Sequence, residues 1–597
     1  VTVETGEQLQ QRTPVSARTR RRRLASAVVA VAACAGLFCC YLRLSATYAS
    51  GSDAASNALE AWDLLHGNWL LHGWTLTDVS FYTTELPEFA AVELLRGLGP
   101  GAIHVTAALT YTLLVAVAAL LARGRSRGLQ GWTRALITAG IMIAPQLGNG
   151  VHLLLAQPDH VGTQVLVLGA FLLLDRAPRR WYTVAAVGAL LTTATVADKI
   201  TIVDAVVPLA FCALLHAVWT RRPLGHRFEL SLAAAAAAGT AAALLTLTLL
   251  SRAGAFTLLP VQTGLSGPAG VPGHLALAWH GVLNLFGADV TLAPSGPQTL
   301  LTWLHAPGIA LAVGAFAVVA WHLPHAGDLV SDVLTVAIVV NLAGFVASVI
   351  PATPFDTREM AALLPFGAVL AGRVFGPLLA GPALAIPRPR PAEPRAAEPR
   401  SADAPRRRRR RGRVRPAAAA LALAGLGQLG ALGYAASQPA GPDPEQALAG
   451  WLAAHHLTCG LGTFSESNIT TVDSGGAVRL LAVSWQPPVR AVAPLPNATS
   501  ARGAQLLPPA PDGAAVARLY QSSAAWYSPR TSYANFVVTG TANGPAGLIP
   551  DKEILALAGT PARTYHFQTF TIMVWNTNLL TLLGPVPSHL PGVIGHA

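Results

Sequence analysis

Long apolar runs separated by short basic blocks dominate the first 436 positions of this 597-residue chain. The first run covers Leu24 to Leu44 and follows Arg20 to Arg23. It is too long for the apolar core of a cleaved signal peptide, and no A-x-A-like site follows it clearly, so it is expected to be a signal anchor. Ten more runs follow: about Ala102–Ala122, Ala135–Leu155, Val161–Leu174, Tyr182–Ala197, Ile200–Trp219, Leu230–Leu250, Ile309–Leu323, Val330–Ile350, Met360–Leu379 and Ala417–Ala436. Hydropathy places these runs without reference to charge. Arg123, Arg125 and Arg127, then Arg176, Arg179 and Arg180, then Arg221, Arg222 and Arg227 nevertheless fall on one side of the resulting weave, as cytoplasmic basic loops do.

The pattern therefore predicts a polytopic α-helical membrane protein of about eleven spans with its N-terminus inside. Residues 1–23 form a basic cytoplasmic tail, and 24–385 a membrane domain with a large outer loop at 45–100. An Arg/Pro-rich cytoplasmic linker occupies 386–416, and the last transmembrane helix 417–436. Several runs are shorter than the ~20 residues of an untilted span. The linker has no apolar content to fold around and is expected to lie at anionic headgroups. Ala276–Phe286 reads as a short interfacial helix or a re-entrant piece. The expected location is the inner (plasma) membrane of a bacterium.

After position 438 the pattern changes. Asp443-Pro444-Glu445-Gln446 has the form of a helix start, with Asp443 as the cap and Pro444 in the first turn. Ala477–Ser484, Tyr533–Thr539 and Thr564–Trp575 alternate as strands do, and Asp473 to Gly476 supplies a turn. Residues 439–597 are thus expected to be a small extracytoplasmic domain, α+β or β-rich and sandwich-like. It contains no P-loop, no Gly-x-Ser-x-Gly and no metal-ligand spacing.

Composition supports the membrane reading. Hydrophobic residues make up 52% and charged residues only 12% of the chain, against about 25% in soluble domains. The net charge of +12 would suggest nucleic acid in a soluble protein. Here it is carried by inner loops, so nucleic acid is excluded as a partner and membrane lipid is expected. Of five cysteines, only Cys459 lies outside the apolar runs, so no disulfide framework is expected in the outer domain.

The chemistry is concentrated in the first outer loop, Ser52 to Glu93. A helix starting near Asp53 would carry Asp53, Asn57 and Glu60 close to one face. Trp69 and Trp74 suit an interfacial belt, and Asp78, Tyr82, Glu85 and Glu88 add polar groups nearby. Later outer segments hold Asp159-His160, Asp198-Lys199 and Pro354-Phe355-Asp356-Thr357-Arg358-Glu359. Each has a plain structural alternative. Asp53 could serve only as a helix cap, Asp159 could hydrate a loop, Asp198-Lys199 could form a turn, and Arg358 could pair with Asp356 or Glu359 at the surface. His66, His72 and His160 have no regular metal spacing. Asn468-Ile-Thr and Asn497-Ala-Thr are sequons.

An aspartate just after span one, an amphipathic helix behind it, the Phe81-Tyr82 to Pro87 stretch and a second acid, Asp159, in the second outer loop together resemble the GT-C membrane glycosyltransferases. That superfamily includes protein mannosyltransferases and aminoarabinose transferases. The resemblance implies a polyprenyl-phosphate sugar donor and an envelope glycan or protein acceptor on the outer face. It implies Asp53 as catalytic base. Asp159, His160, Arg358, Lys199, Glu60, Tyr82 and Glu85 are the candidate substrate-binding residues, with Arg358 or Lys199 meeting the phosphate. A divalent metal ion is the one candidate cofactor, with no ligand set assigned. Asp53 is followed by Ala54 rather than by a second acid. This keeps a second function class open: a non-catalytic scaffold or receptor that reads envelope glycan through residues 439–597. A transporter is disfavoured by the lack of an internal repeat.

Overall fold

The expected spans are helical except the third, Ala135–Leu155, where the helix Gly128–Met142 ends and a short helical segment resumes at Asn149. The structure, a computed structural model, describes residues 17–156, 159–219, 226–260, 264–291, 296–325, 327–380, 414–485, 515–517, 520–540 and 551–583. Among these, seven helices are long and apolar enough to cross a membrane: Leu24–Ser45, Pro100–Arg123, Ile202–Trp219, Arg227–Arg252, Gln298–His325, Leu329–Ala347 and Leu363–Ala380. Gly128–Met142, Val161–Arg176 and Trp181–Ala197, of 15, 16 and 17 residues, and the 23-residue Val414–Ala436 stand at the other expected positions. The protein is a multi-pass membrane protein. Most of the expected linker and the sequon at Asn497 lie outside the described residues.

The spans pack through small residues, as membrane helices do in the absence of a hydrophobic drive between them. At Gly372 a Cβ would come within 2.6 Å of the Arg134 carbonyl oxygen, and at Gly376 within 3.0 Å of the Arg134 Cα. These two glycines let Leu363–Ala380 lie against Gly128–Met142. On the side of the basic loops, Arg373 does not reach out to headgroups. It bonds Asp175 at 2.9 Å, Asp328 at 2.6 Å and the Leu121 carbonyl at 2.8 Å, tying four helical segments together.

Two helices fill the first outer loop, the loop helix Ser52–Leu65 and a second at Glu85–Arg96. Strand β1 (Trp74–Leu76) lies between them. It pairs in parallel with β2 (Thr257–Leu258). The expected interfacial helix is Val271–Leu285, and the arginine-bearing outer segment is a 3-10 turn, Pro354–Met360.

The C-terminal domain holds β3 (Cys459–Gly462), β4 (Arg479–Trp485), β5 (Ala515–Ala517), β6 (Ser522–Ser523), β7 (Phe536–Gly540), β8 (Arg563–Phe567) and β9 (Phe570–Val574). Six of them form one mixed sheet in the order β5-β4-β3-β7-β9-β8. Strand alternation sends Leu461, Leu481, Val483, Val537 and Met573 into one core and Leu480, Phe536, Val538 and Ile572 into another. Helices Pro444–Ala454, Phe464–Asp473 and Asp551–Ala558 complete an α+β domain; the sandwich alternative is replaced by this single sheet. Asp443 caps the first of these helices through the Gln446 N–H at 2.8 Å. The remaining strand, β6, leaves the main sheet and pairs with β1 of the outer loop. The outer loop and the C-terminal domain thus share a sheet.

Candidate active site

The loop helix begins one residue earlier than its sequence suggests. Gly51 takes the cap position, so Asp53 is not spent on capping. The Ser52 hydroxyl donates instead to the Ser465 carbonyl (2.9 Å) and accepts from the Ile469 N–H (3.4 Å). Asn468 donates to the Ser56 hydroxyl (2.7 Å) and the Gln521 carbonyl (2.9 Å). These bonds clamp helix Phe464–Asp473 onto the loop helix. They also bury the Asn468 side chain, which is therefore closed to glycosylation.

Held this way, the loop helix turns Asp53, Asn57 and Glu60 toward the second outer loop. Asn57 donates to Asp159 Oδ1 at 2.8 Å. Arg358 Nη1 lies 3.2 Å from Asp53 Oδ2 and 3.6 Å from Asp159 Oδ2. Asp356, next but one in sequence, points elsewhere. It accepts from the Ala352 and Thr353 amides in a capping box that fixes the 3-10 turn. Arg358 is thereby left for the two distant aspartates. Its guanidinium also lies over the Phe355 ring, 4.1 Å from the centroid, a cation–π contact.

His160 joins a second group of acids to the first. Its Nδ1 is 2.6 Å from Asp198 Oδ2 and its Nε2 is 3.4 Å from Glu359 Oε1. The backbone reaches this position at φ 64°, a left-handed conformation that costs energy for a non-glycine residue. Asp198 also caps Ile200 N–H at 2.9 Å. The turn expected at Asp198-Lys199 is present, and its aspartate holds the histidine. Beneath lies Glu85, which accepts from Thr163 N–H at 3.1 Å and from the Thr84 hydroxyl. Gly162 admits it: a Cβ there would meet Glu85 Oε1 at 2.7 Å.

Charges alternate through the cluster, and the titrations follow. Burial acts to lower the Arg358 pKa, but Asp53 and Asp159 outweigh it and raise it above the ordinary value. Burial likewise acts to lower His160, and Glu359 with Asp198 lifts it well above 6.5. Glu359 goes below its ordinary value because His160 and Arg358 overcome its burial. Burial dominates at Asp159, raised to about 6 against the opposing pull of Arg358. Burial also raises Glu60, with the Asp159 charge adding to it, and takes Glu85 up to about 8.

Accessibility sorts the group. The side chains of Asp53, Arg358 and Glu359 keep 15%, 21% and 29% of their surface, while Asp159 and His160 keep 6% and Asp198 none. The first three remain accessible; the rest are buried behind them. Glu85, fully buried, is a support and not a substrate contact, which corrects its expected role. Tyr82 is corrected too. Its hydroxyl donates to the Trp69 carbonyl and its ring packs on Phe256, inside the loop's own structure. Lys199 is half-buried and makes no side-chain hydrogen bond or ion pair among the described residues. Asp198, Glu359 and Phe355 went unchosen in the sequence, although each lies within three residues of a chosen position. The C-terminal residue Tyr520, close enough to influence Arg358 electrostatically, carries no sequence signal at all.

No group of three or more His, Cys, Asp or Glu among the described residues is arranged to hold a metal ion. Between Asp53 and Asp159 the cationic partner is the Arg358 guanidinium. The residues present thus do not fit a divalent ion at that point, and none is used below.

Acidic residues from two outer loops meet over a multi-pass helical domain, with an α+β domain packed against the first of those loops. The solved structures this chain resembles include ArnT from Cupriavidus metallidurans in the apo state, at 15% identity over 94% of this chain and 100% of that one, TM-score 0.52. ArnT from the same organism bound to undecaprenyl phosphate matches at 15% identity over 94% and 99%, TM-score 0.48. The Archaeoglobus fulgidus oligosaccharyltransferase tethered with an acceptor peptide matches at 12% identity over 75% and 64%, TM-score 0.42. No protein-family model and no curated protein matches the sequence.

Proposed function

We propose that this protein is a membrane glycosyltransferase that moves a sugar from a polyprenyl-phosphate donor to a hydroxyl of an envelope glycan or protein on the outer face of the plasma membrane. The observation that carries the proposal is the convergence of Asp53 and Asp159, from separate outer loops, on Arg358. The acceptor oxygen attacks the anomeric carbon, and the bond from that carbon to the phosphate oxygen breaks. The electron pair leaves with the polyprenyl phosphate, and the hydroxyl proton passes to the Asp53 carboxylate. A positioned base of this kind contributes roughly 10²–10⁴-fold. Arg358 meets the departing phosphate, since a guanidinium is a fork matched to phosphate oxygens. Its engaged nitrogen is Nη1, and its buried Nε–H has no acceptor among the described residues. Asp159, itself held by Asn57, orients the arginine, and His160 between Asp198 and Glu359 braces it from the other side.

The test is reconstitution in proteoliposomes with polyprenyl-phosphate sugars, alongside envelope glycan profiles of cells carrying Asp53→Asn at equal protein level. Transfer and one defined glycan are expected to be lost. An unchanged glycan profile in the mutant sinks the catalytic assignment and returns the scaffold reading.

A further inference from the structure

The transfer scheme leaves one large polar feature of the outer face unused. A cavity of about 480 Å³ opens where the outer end of the first span, the segment after Gly128–Met142 and the end of the last span meet helix Val271–Leu285. That volume lies within the ~300–1,000 Å³ of small-molecule sites. Among the described residues its polar lining is Thr47, Gln146, Asn149, Asn284, Gln298 and Gln438, and no charged residue lines it. Asn284 is only 5% exposed, and its side-chain carbonyl oxygen has no hydrogen-bond partner among the described residues. The same holds for Gln146 Oε1, while Gln146 Nε2 is held by the Asp289 carbonyl at 3.0 Å and Thr302 Oγ1 at 3.2 Å.

The cavity leads toward the Arg358 cluster. Asn149 and Asn284 also line a smaller cavity of about 180 Å³ that is walled by His152, Pro354 and Phe355. Phe355 is the ring beneath the Arg358 guanidinium. His152 is stacked between Phe355 at 5.1 Å and Tyr48 at 4.5 Å. A ligand seated among the amides would therefore have an aromatic column between itself and the reacting phosphate.

We propose that this cavity is a binding subsite for a neutral saccharide. A phosphate or carboxylate ligand would require cations, and the wall has none. A lipid chain would require a wholly apolar wall, and this one carries five amides. An amide presents a carbonyl acceptor and an N–H donor side by side, which suits hydroxyl groups that both donate and accept. The saccharide is the acceptor glycan, held by sugar units remote from the hydroxyl that attacks. That assignment rests on the transferase proposal, whereas the binding itself does not.

The experiment uses the full chain in phospholipid nanodiscs, free of glycoside detergents. Saturation-transfer NMR is run with a panel of neutral disaccharides built from glucose, galactose, mannose, arabinose and N-acetylglucosamine. At least one is expected to bind. Asn284→Leu and Gln298→Leu are expected to weaken it tenfold or more. Asn149→Leu, at a half-buried position, is the second probe should Asn284→Leu fail to fold. Asp53→Asn, which should abolish transfer, is expected to leave binding intact, so a failed transferase proposal would not look like a failed subsite. Binding is expected to persist under saturating undecaprenyl phosphate, and loss of binding under that lipid would overturn the acceptor assignment. If no disaccharide binds, if the leucine variants bind like wild type, or if mass spectrometry finds a phospholipid headgroup that saccharide does not displace, the proposal is overturned.

Discussion

Arg358 and Asp53 are 305 residues apart in the chain and 3.2 Å apart in space. Their contact joins the turn that leads into the tenth span to the loop after the first. The donor phosphate and the acceptor hydroxyl would meet at this contact.

Arg358→Lys keeps the charge and discards the fork. A lysine ammonium cannot face Asp53 and present two parallel N–H groups to a phosphate at once. Transfer is expected to fall at least tenfold, mainly in kcat. Steady-state kinetics in proteoliposomes will check this; an unchanged kcat would remove Arg358 from the phosphate.

His160→Asn isolates the brace. Asparagine tolerates the left-handed backbone that His160 adopts, so the loop should keep its shape. The bridge between Asp198 and Glu359 is lost, leaving two acids without their cation. Because Asp198 is fully buried and loses its cation, the melting temperature is expected to fall, and activity falls with a shifted pH profile. A variant of wild-type activity and pH profile would reduce His160 to a filler of space.

Asn468→Ala tests whether the C-terminal domain positions the catalytic helix. Two buried hydrogen bonds are lost, worth about 1 kcal/mol each, and the Ser56 hydroxyl and Gln521 carbonyl are left without this donor. The expected result is a lowered melting temperature and a lower kcat with little change in donor KM, because the loop helix is less firmly held. Restoration of kcat by a saccharide acceptor at high concentration would show that the domain instead binds acceptor.

Glu93 offers a pH test away from the site. It is 2% exposed, both carboxylate oxygens lack partners among the described residues, and burial raises it from 4.5 to about 9. A carboxyl raised in the folded state binds its proton more tightly there than in the unfolded chain. Its contribution is fully present below about pH 4.5 and declines as pH rises toward about 9, where it is gone. Glu93→Gln, which mimics the protonated acid, should leave the melting temperature at pH 5 unchanged and flatten its fall between pH 5 and 9. Parallel melting curves for wild type and variant across that range would contradict this account.

The sequence alone determined the membrane architecture. Apolar periodicity and basic loops are local and read directly, because lipid requires every span to satisfy its own backbone hydrogen bonds as a helix. The helix at Pro444 and strands at β4 and β7 were legible for the same reason, their signals lying within a few residues. Asp53, Asp159, His160 and Arg358 could be nominated from their places in outer loops, but nothing local said that they meet. Only the tertiary structure decided that Gly51 takes over the cap and frees Asp53. It also decided that Asp356 is spent on its own turn, leaving Arg358 free, and that Asp198 rather than Lys199 enters the cluster. The same folding made the C-terminal domain a clamp on the loop helix through Asn468 and a strand partner of β1. Such pairings depend on which distant surfaces packing brings together, and a charge or amide in an outer loop carries no local mark of its partner.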